Sequence, residues 1–158
     1  MHNPVVLAAV RGCLDAGWAA LRFNFAGVGA SGGRYGGGDE EVRDVAAAAA
    51  TLRAALPGGA PLAIVGYSFG AWVGARAACD LSALRRVIAI APPLAFFDWG
   101  FAGALRAPLA VIVGDRDPYC PSDRLALLAA AEITVLPGAD HFLAGRENEV
   151  AAAIPVWL

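Results

Sequence analysis

Cysteine, histidine and charge are all scarce in this chain. The three cysteines, Cys13, Cys79 and Cys120, are odd in number and widely spaced. That spacing excludes a disulfide framework and offers no metal-ligand pattern, so no metal is expected and a reducing, cytoplasmic setting follows. The two histidines are His2, near one terminus, and His141. A reaction that needs an imidazole base therefore has one candidate. Charged residues are 16% of the sequence and the net charge is −2. There is no basic cluster, so no nucleic-acid partner is expected. The longest uncharged run, residues 54–75, is broken by Pro57, Gly58, Gly59 and Pro61, which excludes a membrane span. The first residues lack a basic stretch, and Arg11 and Asp15 interrupt their apolar run, so no signal peptide is expected.

Apolar residues fill that space. They make up 58% of the 158 residues, and mean hydropathy is +0.57. The length suits one domain over residues 1–158, and the greasiness suits a parallel sheet buried on both faces. Strand-like runs at 18–25, 62–67, 86–91, 109–114 and 133–136 alternate with helical patterns. Asn3-Pro4 opens the first helix, with Pro4 in its first turn, and Gly17 closes it. Asp39 is expected to cap an alanine-rich helix reaching about Leu56. Further helices are expected over 69–79, from Ser122 to about Ala131, and from near Arg146, the last disturbed by Pro155. About five strands alternating with helices define an α/β, mostly parallel sheet with helices on both faces and ligands at the strands' carboxyl ends. The aromatics Phe96, Phe97, Trp99 and Phe101 either line a shallow apolar pocket or belong to the core.

One stretch organises the rest. Residues 62–67 end at Gly66-Tyr67-Ser68-Phe69-Gly70, and a small-residue helix follows. G-x-S-x-G between a buried strand and a helix lifts the serine above the sheet on a strained turn. Gly66 and Gly70 are expected where strand and helix cross closely, leaving no room for side chains. The Phe69 N–H, at the start of the new helix, can point at a developing oxyanion. The glycine-rich residues 26–38 contain Gly27-Val28-Gly29-Ala30-Ser31-Gly32, a literal G-x-G-x-x-G. A dinucleotide site needs its last glycine in an opening helix, and the glycines that follow do not propagate one. The stretch therefore reads as a loop, without a cofactor.

Ser68, Asp117 and His141 fall at the carboxyl ends of three separate strands, in the order Ser, Asp, His. His141 could take the Ser68 proton, and a carboxylate could hold its ring. Asp115 and Asp117 both follow the 109–114 strand. Loop position favours Asp117, which can curl back toward the strand end.

With Gly66-Tyr67-Ser68-Phe69-Gly70, Gly114-Asp115-Arg116-Asp117 and Gly138-Ala139-Asp140-His141-Phe142 in place, the chain resembles the α/β-hydrolase superfamily over nearly its full length. It is most similar to the small, lidless bacterial hydrolases of the dienelactone-hydrolase and prolyl-oligopeptidase-like type. The resemblance implies Ser68 as nucleophile, Asp117 as acid and His141 as base, with Phe69 N–H in the oxyanion hole. It implies a serine hydrolase of the carboxylesterase type acting on a small ester-like substrate without metal or organic cofactor. Residues 21–32 resemble that group's strand and loop, although Ala26 stands where an Arg is usual. Members also carry strands before the helix that Asn3-Pro4 opens. The expectation is thus an N-terminally truncated hydrolase fold, short of one oxyanion donor and with a sheet edge open to self-association. The alternative reading is an inactive or non-catalytic relative that acts by binding.

Overall fold

The computed structural model describes residues 2–128 and 131–158. Its elements are helix α1 (Pro4–Asp15), helix α2 (Asp39–Ala55), strand β1 (Leu62–Tyr67), helix α3 (Phe69–Asp80), strand β2 (Leu84–Ile90), strand β3 (Leu109–Gly114), strand β4 (Glu132–Leu136) and helix α4 (Glu147–Ala153). The strands form one sheet in the order β1-β2-β3-β4, and every pairing is parallel.

Alternation along β2 and β3 explains how both faces are covered. Ile88, Ile90, Ala110 and Ile112 pack with Val5 and Ala9 of α1 and Val150 of α4. Val87, Ala89, Val111 and Val113 point the other way, into a core with Ala71, Ala75 and Ala78 of α3. Burying each isoleucine contributes about 1.5–3 kcal/mol, so β2 and β3 are the energetic centre. The small residues on α3 let it lie close to the sheet. A Cβ on Gly74 would come 2.8 Å from Ile64 Cγ2.

Asn3 caps α1 through its side chain, which accepts hydrogen bonds from Val5 and Val6 N–H. At α2 the expected cap shifts by one residue. Asp39 is the first helical residue and Gly38 precedes it at φ 111°, a conformation glycine adopts readily. Glu41 then accepts the Gly38 and Gly36 N–H groups. From α2, Asp44 accepts the Ala26 N–H at the other end of the glycine-rich loop. That loop holds turns and bends and no helix. Residues 122–128 form a 3-10 helix rather than an α-helix, and 129–130 of that expected helix lie outside the described residues. The last helix passes into a 3-10 turn, Ile154–Val156, that contains Pro155.

The expected strand at 18–25 does not form. These residues carry no ladder, and β1 is an edge strand of the four-stranded sheet. A strand exists only through a paired neighbour, and here a cleft of about 780 Å³ opens between this segment and β1. Val6 and Val10 of α1, Leu21, Phe23 and Ile64 line it, and Ser68 stands at its rim. Accordingly β1 is only partly buried along 63–65, whereas every residue of β3 is buried.

Candidate active site

Ser68 sits between β1 and α3 with φ 52° and ψ −122°. This is the positive-φ region that non-glycine residues avoid, so the surrounding packing must hold the turn. Part of that packing is Gly66. A Cβ there would lie 2.3 Å from Gly70 O and 2.6 Å from Ala71 Cα. Gly70 departs from expectation: a Cβ on it would meet only the Phe25 ring, at 4.0 Å. Of the two elbow glycines only Gly66 sits at the close crossing, and Gly70 has room.

Ser68 Oγ is 2.8 Å from His141 Nε2. On the far side of the ring, His141 Nδ1 is 2.9 Å from Asp117 Oδ2. The other oxygen of Asp117 accepts the Tyr119 N–H at 2.8 Å. Asp117 and His141 are both buried. A carboxylate so placed orders the ring with Nδ1 protonated, which leaves Nε2 as acceptor toward the serine. Phe69 opens α3, where the first N–H groups have no intrahelical partner. Among the described residues its N–H has no backbone acceptor.

Asp115 does different work. Its Oδ1 accepts the Gly138 N–H at 2.7 Å, tying the end of β3 to the loop that carries His141. The two loops approach so closely that a Cβ on Gly114 would lie 2.2 Å from Ala139 O. The residue type of Gly114 carries this requirement, but the approach itself becomes visible only once β3 and β4 are paired.

Aromatic rings surround the pair. Tyr67 and Tyr119 place ring centroids 5.8 Å and 4.6 Å from His141. Phe97 stacks on Trp72 at 4.3 Å and approaches Phe69, while Trp99 is buried and Phe96 is exposed. The 96–101 stretch thus divides between core and rim. Sequence reasoning passed over Tyr67, whose hydroxyl donates to the His141 carbonyl at 3.2 Å. Burial pushes its hydroxyl pKa up, and Asp117 and Asp140 add to this. Burial also drives the Cys120 thiol up to about 12, with Asp117 contributing, so Cys120 stays a neutral core residue. Among the described residues no group of His, Cys, Asp and Glu could hold a metal ion. No described helix is long and apolar enough to cross a membrane.

A parallel sheet covered on both faces, with a strained serine at the end of β1 hydrogen-bonded to a histidine, is the arrangement of an α/β hydrolase. Comparison with solved structures agrees. A serine hydrolase homologue from Coxiella burnetii is 32% identical and superposes at a TM-score of 0.89, over 99% of this chain and 76% of its own. A lidless α/β serine hydrolase from Xanthomonas campestris is 33% identical, with a TM-score of 0.87 over 98% of this chain and 72% of its own. An uncharacterised protein of Rickettsia prowazekii is 30% identical over an alignment 171 positions long, covering 100% of this chain and 72% of the relative. No protein-family profile matches the sequence. The chain belongs to the α/β serine hydrolase superfamily.

Proposed function

We propose that the chain is a serine hydrolase of the carboxylesterase type, acting on small esters through an acyl-Ser68 intermediate. The observation that carries this reading is the unbroken file Ser68 Oγ, His141 Nε2, His141 Nδ1, Asp117 Oδ2, with contacts of 2.8 and 2.9 Å. As Ser68 Oγ forms a bond to the ester carbonyl carbon, its proton passes to His141 Nε2. The carbonyl oxygen becomes an oxyanion beside the Phe69 N–H. Collapse breaks the bond to the alcohol oxygen, which leaves with the proton from Nε2. Water then attacks the acyl-enzyme, gives its proton to Nε2, and Ser68 regains one as the acid departs. Asp117 remains ionised throughout and stabilises the imidazolium. Each backbone donor in such a site is worth about 100- to 1000-fold in kcat, so the rate depends heavily on how the oxyanion is held.

A fluorophosphonate probe tests the reading. It should label Ser68, and Ser68→Ala should abolish the label. Folded protein that stays unlabelled would overturn the proposal. The open cleft along β1 favours a second reading, a relative that binds rather than turns over. Ester hydrolysis lost in Ser68→Ala excludes it. The three free cysteines support a cytoplasmic setting.

A further inference from the structure

We infer that Tyr67, the residue before the serine, is a positioning residue that fixes the backbone of His141 over Ser68; this rests on the hydrolase reading above. His141 lies in the loop between β4 and α4, outside any strand or helix. The start of that loop is held from the β3 side: Asp115 accepts the Gly138 N–H and Ala139 O accepts the Arg116 N–H. Arg146 adds a bond to Pro137 O. None of these reaches His141 itself. The next two contacts are local, with Asp140 accepting the N–H groups of Phe142 and Leu143.

Tyr67 supplies what is missing. Its hydroxyl donates to the His141 carbonyl at 3.2 Å, the one long-range hydrogen bond to that residue's backbone among those described. Its ring also lies along the imidazole, 5.8 Å between centroids and 29° from parallel. Asp117 controls only the rotation of the ring through Nδ1. Rotation without a fixed backbone leaves the distance from Nε2 to Ser68 Oγ free to drift. Because Tyr67 belongs to the nucleophile's own strand, its bond ties the base to the same rigid element as the serine. The tyrosine stays a donor across the working range, since burial and the nearby carboxylates hold its proton on. A distance of 3.2 Å is long for a hydroxyl donor, so the effect is geometric and moderate rather than a strong bond in its own right.

Tyr67→Phe keeps the ring and removes the tether. With a fluorophosphonate probe, the maximal inactivation rate should fall about tenfold, while the probe concentration giving half that rate stays within about twofold. Tyr67→Leu, which also removes the ring, should fall further. A second readout needs no activity. The chain has only two histidines, so the His141 Nδ1 proton can be followed by nuclear magnetic resonance. It should exchange with solvent several-fold faster in Tyr67→Phe than in the wild type. If the wild type is labelled and either the inactivation rate or the proton exchange is unchanged in Tyr67→Phe, the inference is overturned. If the wild type is not labelled, the hydrolase reading fails, and the exchange rate alone decides whether Tyr67 fixes the imidazole. A merely structural Tyr67 would lower the melting temperature and leave both rates of the folded protein intact.

Discussion

Gly66 and Gly70 look equivalent in the motif, yet their surroundings separate them. A methyl group on Gly66 would press into the backbone of Gly70 and Ala71 at 2.3 to 2.6 Å. Backbone cannot step aside as a flexible side chain can, so Gly66→Ala should destabilise by about 3 kcal/mol or prevent folding. Gly70 is the second residue of α3 and its added Cβ would meet nothing closer than 4.0 Å. Gly70→Ala should be neutral or stabilise by up to about 1 kcal/mol, because alanine is the better helix former. Urea unfolding of the two variants checks the contrast; equal losses would show that the elbow does not depend on the crossing at Gly66. At this scale the sequence shows which residue types can do chemistry but not their contacts. Ser68, Asp117 and His141 stand out in the sequence because each follows the end of an apolar run, and the structure brings the three side chains within hydrogen-bond reach. Tyr67 and Gly114 do not stand out, because their roles are set by a loop that arrives from far along the chain. Asp115 is half legible: the motif marks it beside Asp117, and only the pairing of β3 with β4 shows it holding Gly138 instead.

Among the elements, the loop from Ala26 to Gly38 is the one least able to hold itself. Glycine supplies no side chain for it to pack, and its order comes from α2. Glu41 takes the N–H groups of Gly36 and Gly38, and Asp44 takes that of Ala26. Burial alone would raise the Glu41 pKa, but those backbone donors and its own N–H outweigh it and bring the pKa below the ordinary 4.5. A carboxyl whose pKa is lowered by folding contributes stability above its unfolded value and loses it as the pH falls through the folded value. Glu41→Gln should therefore lower the melting temperature at pH 7 and bring the variant closer to the wild type as the pH falls below 4.5. A constant difference across that window would show that the charge does not hold the loop. The elements themselves were legible to differing degrees. Strands β1 to β3 follow from apolar runs that stop at glycine or proline, while β4, short and largely exposed, is marked by its branched residues and by Pro137. The G-x-G-x-x-G forms a loop, since glycine at that density does not extend a helix. Residues 18–25 show the limit: their composition suits a strand, but composition cannot supply the neighbour that a ladder requires.

For the whole molecule, the decisive feature is the open side of β1. Ser68 N–H donates to Ile90 O across β1 and β2. Since successive residues of a strand alternate their backbone direction, the N–H groups of Val65 and Tyr67 face the cleft instead. The cleft is otherwise mostly apolar, with Leu21 45% exposed and Phe23 38% exposed on its wall. An unpaired strand edge beside exposed apolar side chains is a surface that seeks cover, and self-association of the chain is the outcome we propose from it. Two measurements test this. Amide hydrogen exchange at Val65 and Tyr67 should be far faster than at Ile88 and Ile112, whose strands are paired on both sides. In sedimentation, the apparent mass should rise with concentration, and Leu21→Glu should suppress the rise by placing a charge on the cleft wall. If exchange at β1 is already as slow as at β3 in a protein that sediments as a monomer at every concentration, the cleft is closed in solution. Residues 18–25 would then have moved up against β1 to pair with its open edge.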